Sequence, residues 1–455
     1  MKLNLNFAYI WLASASVAWA AESMSYLDNG KIRLGVDLAI GGAVTYLAEA
    51  GQTNNLINSH DWGRQVQLSF YSGPNPFQPP GSTLSKAWAG LGWNPIQAGD
   101  CYGHGSKVLE HHNDGTTLRV KCVPMIWPLN NVPAECTFET VYRLAGKTVE
   151  VDCRLDNTRQ DQTQYSGRNQ ELPAVYTCAP WYKLVTYIGA APFTGAPLTT
   201  LVDKDNGKGW PWISFFGPEH WAALVDKDDY GLGIFHAEAY RMLGGFAGAP
   251  KGQGGPKDGP TGYLAPVLDE ILDHHITYRY RYVLIVGTVA EIRQYACAQP
   301  RRAGLPAWRF ENDRQHWIYE RTTDAGWPIQ GELRVNLGKA SSAMTSPLTF
   351  WPAETATKLR VEAAFETAAK ELQVILEPFS DQELRDWPCW GPNAKRPAKK
   401  WLGPAKLPIV GEGKFRTYEL DLRAIPGYSG NLIRLKLRLP PGPGVARIHA
   451  ITLEP

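Results

Sequence analysis

The stretch V-E-V-D-C-R-L at residues 149–155 decides the fold class, because apolar and charged side chains alternate along its whole length. A period of two residues puts alternate side chains on opposite faces of a β-strand, one buried and one in water. The same alternation occurs at residues 278–282 and 433–439, whereas helical periodicity is confined to residues 289–298 and 381–387. The sequence therefore predicts a mainly β protein built of antiparallel sheets.

The overall composition is that of a folded and nearly neutral chain. The 455 residues include 46 Lys and Arg against 44 Asp and Glu, a formal net charge of +2. Such a chain has no long-range field that would attract nucleic acid or an anionic membrane, so we expect neither as a partner. With 44% hydrophobic and 20% charged residues, the composition also excludes a disordered chain.

The first twenty residues have the features of a secretory signal peptide. Lys2 is their only charge, residues 7–17 are mostly apolar, and Ala18-Trp19-Ala20 has the small-x-small form of a cleavage site. We therefore expect cleavage after Ala20, a secreted or periplasmic protein, and no integral membrane segment in the mature chain. The alternative is an uncleaved membrane anchor.

Two strand-rich regions flank a polar, proline-containing segment at residues 299–307. We expect a larger β domain at residues 21–298, a linker at residues 299–307 and a smaller β-sandwich at residues 308–455.

The seven cysteines leave two interpretations open. Cys122 and Cys136 flank a stretch rich in proline and asparagine, and either close a hairpin through a disulfide or remain buried thiols. The sequence has no C-x-x-C pair, H-E-x-x-H motif, phosphate loop, dinucleotide fingerprint or G-x-S-x-G motif. We therefore predict neither a metal nor a cofactor.

The densest polar and aromatic segment is H-D-W-G-R-Q-V-Q-L-S-F-Y at residues 60–71, followed by G-W-N-P-I-Q-A-G-D at residues 92–100. As a strand, residues 64–71 place two amides, a hydroxyl and a phenol on one face, which is poor core material but suits a sugar. The alternative is an edge strand that wets its polar face. The predicted substrate-binding residues are Arg64, Gln67, Tyr71, Trp93, Asn94, Gln97, Arg168 and Glu219.

The candidate catalytic residues are Glu171, Asp100 and His104. Glu171 lies where a polar run becomes a strand, whereas Asp100 and His104 share a glycine-rich loop. Two carboxyl groups beside a sugar would fit glycoside hydrolysis, with Glu171 as general acid and Asp100 as base or nucleophile. A single base with a charge-neutralising Arg or His would instead fit β-elimination from a uronate. A non-catalytic glycan-binding protein is the third alternative.

Several segments resemble the strands of galactose-mutarotase-like β-supersandwich domains. They are residues 28–37, residues 41–44, the Gly63-Arg64 pair, and residues 221–225 and 230–235, and the resemblance covers residues 24–297. It implies an antiparallel β-supersandwich of the kind found in aldose 1-epimerases and in polysaccharide hydrolases and lyases; together with the residue chemistry above, we expect a carbohydrate-active enzyme that cleaves a polysaccharide or oligosaccharide. In aldose 1-epimerases of this superfamily an early Arg binds sugar hydroxyls, which implies a binding role for Arg64.

The C-terminal region, with Y-E-L-D-L at residues 418–422 and a last strand at residues 448–453, is similar to jelly-roll carbohydrate-binding modules. This similarity implies that residues 308–455 form a jelly-roll-like β-sandwich that either assists sugar binding or packs as a buttress against the first domain.

Overall fold

The structure is a computed structural model that describes residues 23–201, 212–301, 304–338, 341–380, 401–455 and the backbone of residues 387–388. The predicted signal peptide at residues 1–20 lies outside the described residues, and so does the predicted helix at 381–387 apart from its last residue. Within the described ranges, no helix is long and apolar enough to cross a membrane.

A large sheet forms one layer of the N-terminal region. Its strands follow the order β1-β2-β3-β4-β11-β18-β17-β14-β27, and β5 and β8 extend it from β4. The strands are β1 (Met24–Asp28), β2 (Ile32–Asp37), β3 (Ala43–Glu49), β4 (Val66–Ser69), β5 (Pro95–Ile96), β8 (Met125–Ile126), β11 (Arg168–Cys178), β14 (Ile213–Phe216), β17 (Arg241–Ala247), β18 (Thr261–Glu270) and β27 (Trp387–Pro388).

A nine-stranded sheet forms the second layer, in the order β13-β12-β15-β16-β19-β10-β9-β7-β6. The strands are β6 (Lys107–Asn113), β7 (Thr117–Val123), β9 (Cys136–Ala145), β10 (Thr148–Asn157), β12 (Lys183–Thr186), β13 (Thr199–Leu201), β15 (Trp221–Val225), β16 (Tyr230–Phe235) and β19 (Thr277–Thr288). The helix α1 (Val289–Ala298) follows β19 as predicted, and a capping box at Thr288 and Glu291 starts it.

The stretch that decided the fold class lies in β10, between β9 and β19 in antiparallel register. Its apolar members Val149, Val151, Cys153 and Leu155 are buried in a core shared by the two sheets. Six cysteines, at positions 101, 122, 136, 153, 178 and 297, are free thiols, so the pair at Cys122 and Cys136 is unbridged. The predicted mainly β, antiparallel architecture is confirmed.

The C-terminal region adds two smaller sheets around a core of its own. One contains β20 (Ala307–Arg309), β22 (Leu333–Leu337), β25 (Lys358–Glu366), β29 (Arg416–Asp421) and β31 (Gly444–Glu454). The other contains β21 (Ile318–Glu320), β23 (Ala343–Thr345), β24 (Trp351–Pro352), β26 (Glu371–Pro378), β28 (Leu402–Pro408) and β30 (Asn431–Arg438). The exact boundary at residues 299–307 stays a prediction, and β27 from beyond it joins the large sheet.

Candidate functional site

The side of the large sheet turned away from the nine-stranded sheet, called the outer face below, carries polar and aromatic side chains. Strand periodicity explains the division: Val66, Leu68, Val175, Leu264 and Met242 enter the shared core, so their neighbours along each strand face outward. The outer face includes Gln67 and Ser69 on β4, Asn169, Glu171 and Tyr176 on β11, Tyr263 and Asp269 on β18, and Arg241 and Leu243 on β17.

A β-bulge in β11 brings two groups of outer-face side chains together. Glu171 pairs with Ser69, whereas Ala174 pairs with Gln67, so three residues of β11 oppose two of β4. Glu171 and Tyr176 are five residues apart, a spacing that would put them on opposite faces of a regular strand. The bulge restores both to the outer face.

Three aromatic rings form the floor beside Glu171. The Tyr176 and Tyr263 ring centroids are 4.8 Å apart, and the Trp212 ring lies 4.8 Å from that of Tyr263. Tyr176 is half-buried, whereas the other two rings are buried. Of the three rings, that of Tyr176 is the one with exposed area that suits the C–H face of a sugar.

Glu171 is the acidic group at the centre of the outer face. It is half-buried, and the Tyr71 hydroxyl donates a hydrogen bond of 2.9 Å to its Oε2. Burial raises the pKa of Glu171, while the Tyr263 and Tyr71 hydroxyls oppose the rise. The Tyr263 hydroxyl lies close to this carboxyl but outside strict hydrogen-bonding geometry. A carboxyl group whose pKa is raised by burial is suited to proton transfer.

The Tyr71 hydroxyl keeps its proton next to the Glu171 carboxyl group. Burial, followed by the charge of Glu171, raises its pKa well above the usual value. Tyr71 therefore acts as a hydrogen-bond donor to the Glu171 carboxyl, and these two predicted site residues lie together.

Arg64 lies at the Tyr176 end of the outer face. Its Nε is 3.1 Å from Asp61 Oδ2, and its Nη1 donates to the Gly259 carbonyl at 2.6 Å. The charges of Arg64 and Asp61 both influence the pKa of Tyr176, after the larger effects of burial and Glu171. Arg64 is therefore in the same neighbourhood as the acidic centre and keeps part of its side chain in water.

The predicted amides are held by the protein itself. Gln67 donates to the Arg64 carbonyl at 2.6 Å and accepts from the Ala98 amide at 2.8 Å. Gln97 accepts from the Leu68 amide at 3.2 Å, and Asn94 donates to the Phe70 carbonyl at 2.8 Å. All three are buried, and Trp93 belongs to the core shared by the sheets. Their substrate-binding roles stay predictions, because these contacts brace the strand-to-loop junction beneath the outer face.

Asp100 braces its own loop. Its Oδ1 accepts from the backbone amides of Tyr102 and His104 at 2.9 and 3.0 Å. Its Oδ2 accepts from the Asn131 amide at 2.7 Å and lies 2.9 Å from His104 Nδ1. The Asp100 side chain is fully buried, whereas that of His104 is 40% exposed. In the described part of the chain no hydrogen bond or ion pair joins this pair to Glu171.

Arg168 approaches the site from the other face of β11. Its Nη1 donates to the carbonyls of Ser72 and Leu91 at 3.2 and 2.6 Å, and its guanidinium lies 5.7 Å from the Tyr71 ring centroid. Burial lowers the pKa of Arg168. Arg168 therefore packs against the Tyr71 ring and helps to fix the position of that side chain.

Glu219 lies away from the outer face, under α1. It forms an ion pair of 2.8 Å with Arg293 of the helix and accepts from the indole of Trp221 at 3.0 Å and the amide of Phe193 at 2.8 Å. These three contacts join the helix, a strand and a loop, and its predicted role in substrate binding stays a prediction.

Sequence reasoning missed four residues that surround Glu171: Tyr176, Trp212, Tyr263 and Asp269. A strict two-residue count from Glu171 misses Tyr176, because the bulge is not visible in the pattern. The run T-G-Y-L-A-P-V-L-D-E of β18 was a usable signal, since Tyr263 and Asp269 share one parity in it. No group of three or more His, Cys, Asp or Glu side chains able to hold a metal ion occurs within the described ranges.

The fold and site define an antiparallel β-sandwich with a polar and aromatic sheet face, and solved structures of similar fold exist. A galactose mutarotase-like protein from Lactobacillus casei is similar over 58% of this chain and 99% of its own, with 11% identity and a TM-score of 0.36. A galactose mutarotase related enzyme from Lactobacillus acidophilus is similar over 58% of this chain and 97% of its own, with 12% identity and a TM-score of 0.33.

A GH36 alpha-galactosidase from Geobacillus stearothermophilus is similar over 59% of this chain and 40% of its own, with 11% identity and a TM-score of 0.35. No family model matches the chain, and no curated protein matches it.

Proposed function

We propose that this protein is a carbohydrate-active enzyme that binds its saccharide on the outer face and uses Glu171 to transfer a proton. The observation that carries the proposal is the half-buried Glu171 carboxyl, with its raised pKa and its Tyr71 hydrogen bond, beside the rings of Tyr176, Trp212 and Tyr263. A positioned proton donor is one of the two groups that glycoside hydrolysis uses, and an exposed aromatic ring beside it suits a sugar face.

The test compares Glu171→Gln with wild type across a panel of polysaccharides and oligosaccharides, with products measured by chromatography. We expect Glu171→Gln to lose at least 100-fold in turnover, in line with the loss of a general acid, and to keep glycan binding. The matched control is Glu362→Gln, which removes a half-buried strand carboxyl in the C-terminal region and should leave turnover unchanged. Equal turnover by Glu171→Gln and wild type would overturn the proposal, and saturable binding without any product would indicate a glycan-binding protein.

Hydrolysis is the first form of this chemistry, with Glu171 as general acid and a second carboxylate as base or nucleophile. Asp100 was predicted for that second role, but its two oxygens already meet three backbone amides and His104. We expect Asp100→Asn to lower the free energy of unfolding by about 1–3 kcal/mol, measured by urea denaturation. Loss of turnover with unchanged stability would instead place Asp100 in the reaction.

β-Elimination from a uronate is the second candidate, and the Tyr71–Glu171 hydrogen bond favours it. Glu171 would remove the proton next to the uronate carboxylate and pass it to the departing oxygen, Tyr71 would orient the carboxyl group through its hydrogen bond, and Arg64 would neutralise the carboxylate. The product of elimination is unsaturated, so ultraviolet absorbance separates it from the product of hydrolysis.

Export through a cleaved signal peptide also remains a proposal, supported by residues 1–20 of the sequence. N-terminal sequencing of protein recovered outside the cytoplasm should begin at Ala21, and an N-terminus at Met1 would contradict cleavage.

A further inference from the structure

We infer that Arg241, Asp269 and Asn169 form a second sugar subsite beside Glu171, walled by Arg434 of the C-terminal region, and that the substrate is an uncharged oligosaccharide of two or more units. This inference rests on the proposed function and adds the substrate class. It also favours hydrolysis over elimination, because elimination needs an anionic uronate.

The subsite lies one repeat of the pleat from the acidic centre. Glu171 pairs with Val267 and Asn169 pairs with Asp269, so Asp269 follows Val267 by two residues along β18. Two residues of a strand span about 7 Å, a length comparable with one pyranose ring. Arg241 pairs with Val267 from the opposite side, which places it across β18 from Glu171.

Asp269 is the centre of the cluster. Arg241 Nη2 lies 2.9 Å from its Oδ1, the Asn169 amide donates to the same oxygen, and Arg434 Nη2 lies 3.6 Å from its Oδ2. Burial opposes ionisation of Asp269, but the charges of Arg241 and Arg434 prevail and lower its pKa. The carboxylate therefore stays an acceptor over the physiological range.

The charges of the cluster cancel, which determines the class of ligand. Arg241 and Arg434 face Asp269 and Glu377, whose Oε2 is 3.8 Å from Arg434 Nε. A balanced cluster attracts neither a uronate nor a cationic sugar. It does present guanidinium donors beside a carboxylate acceptor, the pairing that vicinal hydroxyls of a neutral sugar satisfy.

Part of the hydrogen-bonding capacity of Arg241 and Asp269 is not used within the protein. The side chains of Arg241 and Asp269 remain 19% and 12% exposed. The Arg241 Nε–H has no hydrogen-bond partner among the described residues, a costly condition for a buried donor. The protein therefore does not satisfy every N–H donor of the Arg241 guanidinium. Reorientation toward a ligand would give the Nε–H a hydrogen-bond acceptor.

The C-terminal region closes the outer face next to the cluster. Phe216 pairs with Arg241 across β14 and β17, and its ring packs 6.1 Å from Phe350 and 5.6 Å from Phe379. Arg434 projects from β30 in the same region. The C-terminal region thus lies against this end of the outer face and also forms a separate core.

The test uses the full-length protein, ladders of neutral gluco-, xylo-, galacto- and manno-oligosaccharides of one to six units, and a matching ladder of acidic uronate oligosaccharides, with affinity measured by calorimetry. Wild type should gain at least tenfold in affinity for some ladder between one and two or three units. Asp269→Asn and Arg241→Gln should lose most of that gain and keep the wild-type affinity for the single sugar. The matched control is Arg281→Gln, which removes an Arg–carboxylate pair from β19 in the other sheet and should leave the ladder unchanged.

Three outcomes would overturn the inference. If both variants keep the wild-type dependence of affinity on oligosaccharide length, the cluster does not contact the sugar. Equal weakening at every length, with a lower unfolding midpoint in both variants, would show an ion cluster that only joins the two regions. With either of these two outcomes, sugar binding by wild type would leave the proposed function intact. The third outcome is binding of acidic oligosaccharides alone, which would refute the neutral substrate and favour elimination.

Discussion

The protonation of Glu171 is linked to the stability of the fold. Burial raises its pKa above the ordinary glutamate value of 4.5, so the folded protein holds the proton at a pH where the unfolded chain has lost it. The stability linked to this group is fully present below the unfolded pKa and is lost as the pH rises through the folded one. The fold therefore tolerates the glutamate least at neutral and alkaline pH.

We expect Glu171→Gln to raise the thermal unfolding midpoint above that of wild type at pH 8, and the difference to vanish toward pH 4. Circular dichroism melts across this range measure it. Tyr71→Phe is the companion variant: it removes a hydroxyl that lowers the pKa of Glu171, so its stability should fall further than that of wild type between pH 4 and 8. A glutamine variant that is less stable than wild type at pH 8 would contradict the sign of the shift.

Individual strands were predictable to the extent that their side chains alternate. Residues 149–155 and 433–438 form strands because burial of one face is decided locally, by the residue itself and its second neighbours. The bulge in β11 is different, since it is set by how β11 meets β4 and β18 and leaves no mark on the alternation. Glu171 was found from its sequence context, whereas Tyr176 was hidden by the register shift.

The polar side chains of β4 show a second limit of prediction from sequence. The sequence pattern places Gln67 and Ser69 on one polar face of β4, but sequence alone does not tell whether a sugar or the protein satisfies such groups. Here the loop that carries Ala98 and Gln97 returns over β4 and supplies the partners. The sequence shows that these polar groups need hydrogen-bond partners when they are buried. Which groups serve as partners depends on the tertiary structure.

The single α-helix of the described chain depends on the buried pair of Glu219 and Arg293. We expect Glu219→Gln to lower the free energy of unfolding by about 3 kcal/mol, because the change leaves the Arg293 charge without its partner beneath α1. Chemical denaturation measures the loss. Kinetics of the same variant should show an unchanged KM, and a raised KM with unaltered stability would restore the substrate-binding role predicted from sequence.

At the scale of the whole molecule, the two regions meet through buried charges that come from distant parts of the chain. Arg314 is 2% exposed and lies 2.6 Å from both Asp273 of the N-terminal region and Asp324 of the C-terminal one. Gln164 donates to Asp324 at 2.6 Å, and Tyr319 donates to it at 2.9 Å. The sequence predicted two regions and a short connection, but no local pattern predicts that these residues converge.

Removal of Arg314 tests whether this contact makes the two regions unfold as one body. Arg314→Ala leaves Asp273 and Asp324 buried without their cation, a change that costs about 3–5 kcal/mol in comparable sites. We expect a lower unfolding midpoint and a calorimetric trace that separates into two transitions, because the regions keep their own cores. Arg447→Ala removes a more exposed ion pair inside the C-terminal region and should preserve a single transition near the wild-type midpoint. If Arg314→Ala instead melts in one transition at the wild-type temperature, the apolar contact of Phe216 with Phe350 and Phe379 holds the regions together without the buried charges.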